Sequence, residues 1–92
     1  MSMYKEDLLH EIDKLENELN VSDKKTYIIY SRTKRLIIFL RQFNNDKKND
    51  NLAEMIEKLD LCDKSGGYGG GIFDKQQYLI LLKKIKEILK EN

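Results

Sequence analysis

Five glycines, at positions 66, 67, 69, 70 and 71, surround Tyr68 and offer the chain's first possible chemistry. Glycines let backbone N–H groups approach an anion, and a helix that starts after them would favour a phosphate. A P-loop, however, places its lysine and hydroxyl residue after the glycines, whereas Lys64 and Ser65 precede them. The third glycine of a dinucleotide fingerprint is replaced by Ile72. We therefore predict a connecting loop: either a flexible one, or one that orders on a protein partner with Tyr68 as its anchor.

The same region loosely resembles a calcium-binding loop, with Asp63, Ser65 and Asp74 at positions 1, 3 and 12. Such a loop needs a glycine at position 6 and an oxygen ligand at position 5. Those two positions hold Tyr68 and Gly67, so no calcium site is predicted.

His10 and Cys62 are the only histidine and the only cysteine. No nucleophile can be named beside His10, which is expected to be a solvated surface residue. A single cysteine provides neither a zinc site nor a redox pair, so Cys62 is expected to pack in the core. We predict no catalytic residue, no metal, no cofactor and no enzymatic activity.

Apolar residues recur at helical spacing in four segments, which predicts an all-α protein. The first two helices span about residues 3–20 and 24–43, with Ser22 or Asp23 capping the second. A capping box at Asn51 and Glu54 opens a short third helix, and Asp74 with Gln77 opens the fourth. Residues 26–30 are β-branched and aromatic, but no partner strand is available, so a helix is favoured.

Short connections between these segments predict a small antiparallel bundle of four helices, the third short, with the glycine-rich loop between helices 3 and 4. All 92 residues form a single domain in this interpretation. The predicted core comprises Leu8, Ile12, Leu15, Leu19, Ile29, Leu36, Leu40, Phe43, Leu52, Met55, Ile56, Leu59, Tyr78, Leu81, Leu82, Ile85, Ile88 and Leu89.

Charge is sorted along the chain although the formal net charge is only +1. Residues 1–21 hold two lysines and six acidic residues, whereas residues 22–48 hold eight basic and two acidic ones. Residues 49–65 are acidic again, with five acids and two lysines, and residues 66–92 carry five lysines and three acids. Two interpretations follow: helices 1 and 2 complement each other across their seam, or helix 2 keeps spare positive charge for a partner.

The side of helix 2 opposite its apolar stripe gives the best candidate contact surface. Its residues combine aromatic, aliphatic and cationic side chains, and a helix that is apolar on both sides is usually covered on both sides. Together with the loop aromatic, the predicted partner-binding residues are Tyr27, Lys34, Arg35, Ile38, Arg41 and Tyr68.

These observations favour a small non-enzymatic protein-binding module that acts by occupying a protein partner. In size, helix count and composition the chain is similar to bacterial and phage accessory proteins such as bacteriocin immunity bundles and host-directed inhibitors, which implies an accessory, inhibitor or immunity-type role. The alternatives are a nucleic-acid-binding protein that uses the basic helix 24–43, and a structural homo-oligomer. Near-neutral net charge speaks against nucleic acid.

The polar, acidic first eleven residues do not resemble a secretory leader, and the lone cysteine excludes an internal disulfide. No apolar run approaches the roughly 18 residues that a membrane span needs. A cytoplasmic location without membrane contact is expected.

Overall fold

In the residues that a computed structural model describes, 4–23, 26–66 and 74–91, the chain forms four α-helices and no strand. Helix α1 spans Lys5–Val21, α2 spans Tyr27–Lys47, α3 spans Asp50–Gly66 and α4 spans Lys75–Glu91. The prediction of an all-α protein is confirmed. Residues 26–30, for which a strand was the alternative, form the cap and first turn of α2, and α2 is continuous through Ser31.

The helices form a closed up-and-down bundle. In the described residues α1 and α3 each pack against both α2 and α4, so that α1 lies diagonally opposite α3, and α2 opposite α4. At one end of the bundle Lys75, which begins α4, donates a hydrogen bond to the carbonyl of Ser22 just after α1 (3.0 Å). At the other end Asn44 of α2 exchanges hydrogen bonds with Asn49 before α3. Neighbouring helices are therefore antiparallel, as predicted.

One apolar stripe from each helix fills the centre of the bundle. Buried residues of this core are Leu8, Ile12, Leu15, Leu19, Ile29, Leu36, Ile37, Leu40, Phe43, Leu52, Ile56, Leu59, Tyr78, Leu81, Leu82, Ile85 and Leu89. Two residues of the predicted core, Met55 and Ile88, are only half-buried against it. Thr33 is also fully buried, and its hydroxyl donates to the carbonyl of Ile29 (2.7 Å), which satisfies the polar group inside the helix.

The second helix starts later than predicted, because Thr26 and not Ser22 or Asp23 is its N-cap. The Thr26 hydroxyl accepts a hydrogen bond from the backbone N–H of Ile29 (3.2 Å). Ser22 instead lies just after α1 in extended conformation.

Replacing Thr26 with alanine should lower the free energy of unfolding by about 1 kcal/mol, because a backbone N–H of the first turn loses its partner. Ser22→Ala is the matched control and should change stability by less than about 0.5 kcal/mol. Urea denaturation followed by circular dichroism measures both, and equal losses would contradict the assignment of the cap.

Helix α3 is longer than the short helix predicted, and it equals α1 and α4 at 17 residues. Its cap is Asn49, whose side-chain oxygen accepts from the N–H of Leu52 (3.0 Å), so the predicted cap at Asn51 is wrong. Lys48 takes the left-handed conformation that ends α2. The helix continues through Gly66, and the rest of the glycine segment, residues 67–73, lies outside the described residues.

The predicted cap of the fourth helix is confirmed. Asp74 Oδ1 accepts a hydrogen bond from the N–H of Gln77 (3.0 Å).

Candidate protein-binding surface

Acidic and basic helices alternate around the bundle, and ion pairs between described residues cross three of its seams. Lys86 of α4 binds Glu16 (2.7 Å) and Asp13 (3.3 Å) of α1, and the hydrogen bond that its ammonium donates to Glu16 raises the pKa of Lys86. Between α1 and α2, Arg32 lies 3.8 Å from Glu11. The third charged seam joins α2 to α3. Surface pairs of this kind contribute little individually, so their main effect is to select neighbours and register.

Two of the predicted partner-binding residues, Lys34 and Arg41, form the ion pairs between α2 and α3. The Arg41 guanidinium contacts Glu57 (3.0 Å) and Asp60 (3.3 Å), and the hydrogen bond with Glu57 raises the pKa of Arg41. The Lys34 ammonium lies 3.5 Å from Asp63 Oδ2. Lys34 and Arg41 therefore face α3, and their charge is largely committed inside the molecule.

The solvent side of α2 nevertheless exposes apolar surface. Tyr27 is 64% exposed, Ile38 55% and Ile28 49%. Arg35 is exposed between them, with its guanidinium 5.4 Å from the centre of the Phe39 ring. No ion pair joins Arg35 to another residue of the described ranges. We call Tyr27, Ile28, Arg35 and Ile38 the α2 outer face.

Of the six predicted partner-binding residues, Tyr27, Arg35 and Ile38 are exposed along α2. Tyr68 lies outside the described residues. Ile28 was missed, because its position at the edge of the apolar stripe is compatible with either side of the helix. The helical period can find such an edge residue but cannot decide its exposure.

A buried polar cluster joins α3 to α4 near the end of α3. The Asp63 side chain is 0% exposed, and its Oδ1 accepts a hydrogen bond from the Tyr78 hydroxyl (2.9 Å). Burial, and then the negative charge of Asp63, raise the pKa of Tyr78 well above the ordinary tyrosine value. Since Tyr78 is itself 1% exposed, the cluster is closed to substrates and holds the helices together. Sequence reasoning considered Asp63 only as a calcium ligand.

The remaining candidates for chemistry are His10 of α1 and Cys62 of α3. His10 is exposed on α1, and Cys62 is half-buried against the core. Within the ranges described, no three histidine, cysteine or acidic side chains are grouped as a metal site would need. None of the four helices is long and apolar enough to cross a membrane.

Comparisons with known proteins find no relative. No protein-family model matches the sequence, and neither a curated protein nor a solved structure matches it. The fold itself defines the class of the protein, which is that of an antiparallel four-helix bundle.

Proposed function

We propose that this protein is a non-enzymatic protein-binding module of the cytoplasm, an accessory, inhibitor or immunity-type protein that acts by occupying a protein partner. The observation that supports this function is the α2 outer face. Its three large apolar side chains are about half exposed or more, although the opposite side of the same helix is already filled by the core. Several large exposed apolar side chains along one helix are a feature of contact surfaces.

The partner that we propose has a surface complementary to the α2 outer face. Tyr27 and Ile38 supply the aromatic and aliphatic anchors that dominate binding energy at protein interfaces. Arg35 lies beside them, exposed and stacked on Phe39. A complementary surface therefore carries an apolar patch and a carboxylate that reaches Arg35.

Binding to nucleic acid is the weaker alternative. Arg32, Lys34 and Arg41 of the basic helix all lie within 4 Å of carboxylates of α1 or α3. A phosphate backbone would have to compete with these acids for the cations, and the acids would repel it.

Affinity capture from a nuclease-treated host lysate tests the proposal, using wild type beside an Arg35→Glu/Ile38→Asp variant. Wild type should retain one discrete protein, and the variant should lose at least about tenfold of it, because both an apolar anchor and a cation are reversed. Lys83→Glu/Ile80→Asp is the matched control, with the same change of charge on α4. Circular dichroism confirms that both variants are folded.

Three outcomes would contradict the proposal. Capture that occurs in a parallel untreated lysate but not after nuclease treatment would indicate nucleic acid. A mass that depends on concentration, and becomes monomeric in the α2 variant, would indicate a homo-oligomer. Equal retention by wild type and the α2 variant would exclude the α2 outer face as the contact surface.

A further inference from the structure

Polar groups close one end of the core between α3 and α4. Along α3 the inward-facing positions are aliphatic as far as Leu59, and the next one, a turn later, is the buried Asp63. The stripe of α4 begins with Tyr78, whose hydroxyl donates a hydrogen bond to the Asp63 carboxylate (2.9 Å). A carboxylate and a phenol thus occupy core positions that hold aliphatic side chains further along both helices. We call Asp63 and Tyr78 the polar layer.

A charged side chain from a third helix reaches the polar layer. The ammonium of Lys34 in α2 lies 3.5 Å from Asp63 Oδ2, whereas Asp60, the other buried acid of α3, contacts Arg41 (3.3 Å). The two partners differ in exposure, because the Lys34 side chain is 39% exposed and that of Asp63 is 0% exposed. Water can therefore take over the ammonium while the carboxylate stays buried. Lys34 is the partner that can move.

The two ends of the α3–α4 pair are consequently held in different ways. At the start of α3 and the end of α4, Leu52 and Leu89 are fully buried, and their burial needs no balancing charge. A buried carboxylate is costly unless its charge is balanced, and loss of one partner of a buried ion pair is strongly destabilising. Closure of the polar layer therefore depends on Lys34. A weakly held end of this kind can open while the rest of a domain stays folded.

We propose that Lys34 acts as a strap on the end of the bundle formed by residues 59–63 of α3 and the first turn of α4. With its ammonium on Asp63, this end is closed. When the ammonium moves into solvent or to another anion, the polar layer opens and the core around Ile12 stays packed. The strap thus gives the protein a partly open conformation that a charge on α2 controls. This inference goes beyond the proposed function and does not depend on binding at the α2 outer face.

Native-state hydrogen exchange followed by nuclear magnetic resonance tests the strap. In the wild type, the amides of Cys62 and Asp63 should exchange faster than that of Ile12, and with a weaker dependence on urea. The reason is that opening one end exposes less surface than global unfolding does. Lys34→Met keeps the aliphatic stem but removes the ammonium, and it should speed exchange at Cys62 and Asp63 about tenfold. Lys58→Met removes a lysine that is paired within α3, and it should change these rates by less than about twofold.

Ile12→Val separates opening of this end from global unfolding. Ile12 is 0% exposed and precedes Asp13, whose partner Lys86 lies about two turns beyond Tyr78 along α4. The substitution removes a buried methyl group from a part of the core that stays packed when the polar layer opens. It should speed exchange of the Ile12 amide about threefold, through global unfolding, and leave that of Asp63 unchanged.

Asp63→Asn tests whether Lys34 acts through the carboxylate. In that background Lys34→Met should change exchange of the Cys62 amide by less than about twofold, since a double-mutant cycle isolates the contact between the two side chains. An unchanged rate in Lys34→Met alone, or an equally large effect of Lys34→Met in the Asp63→Asn background, would overturn the inference. Equal acceleration of the Ile12 and Asp63 amides by Ile12→Val would also overturn it, because this end would then open only with the whole bundle.

Discussion

Replacing Leu82 with alanine is expected to lower the free energy of unfolding by about 2–5 kcal/mol. Leu82 is 0% exposed in the middle of the apolar stripe of α4, so truncation removes buried methyl groups and leaves a cavity. Small domains are stable by only about 5–15 kcal/mol in total. A loss of this size should therefore greatly lower the urea concentration at the midpoint of unfolding, or unfold the protein at room temperature without urea.

Ile80→Ala is the matched control for this prediction. It removes an aliphatic side chain of the same size from the same helix, but Ile80 is 48% exposed. The loss should stay below about 1 kcal/mol, since part of that surface already contacts water. Urea denaturation of both variants measures the difference, and similar losses would mean that α4 does not present Leu82 to the core.

The apolar stripes were the most predictable part of the fold. In α1, Leu8, Ile12, Leu15 and Leu19 recur at helical spacing, and all four are 0% exposed. Periodicity works here because the rest of that helix is almost entirely polar, so only one side can be buried. Met55 and Ile88 lie at the edges of their stripes, where both line a cavity of about 240 Å³, and the period alone could not decide their burial.

Helix starts were less predictable, because several capping residues stand close together. Ser22, Asp23 and Thr26 can all cap a helix, and so can Asn49 and Asn51. In the folded chain, the cap is the residue at which packing requires the helix to begin. Asn49, for example, is held by Asn44 of the preceding helix. Asp74 was predicted correctly, since no competing cap stands next to it.

The candidate site shows what a helical wheel omits. A wheel correctly places Lys34 and Arg41 away from the buried stripe, but it gives only the direction in which each side chain leaves the helix. Long cationic side chains bend along the surface and end several ångströms away. Both side chains reach acids of α3, and a wheel drawn for α2 alone contains no information about that neighbouring helix. Of the two interpretations of the sorted charge, complementarity of helices 1 and 2 accounts for the Arg32–Glu11 pair, but neither interpretation anticipated that Lys34 and Arg41 contact acids of α3.

Tyr78→Phe is expected to destabilise the protein by about 1.5–3 kcal/mol at neutral pH, the range for a hydrogen bond to a charged group. The substitution keeps the ring in the core but removes the hydroxyl that donates to the buried Asp63 carboxylate. Tyr4→Phe, at a position that is 76% exposed, is the control and should change stability by less than about 0.5 kcal/mol.

The same variant should respond less to alkaline pH. Because folding raises the pKa of Tyr78, the folded chain keeps the phenol proton above pH 10 while the unfolded chain loses it. In that pH range the folded wild-type chain binds more protons than the unfolded chain does. The free energy of unfolding of the wild type therefore falls as the pH rises. Phenylalanine has no proton to lose, so the deficit of Tyr78→Phe should shrink by about 1.4 kcal/mol between pH 7.5 and pH 11. Urea midpoints at the two pH values measure this, and a deficit that stays constant would show that Tyr78 is not held protonated in the folded chain.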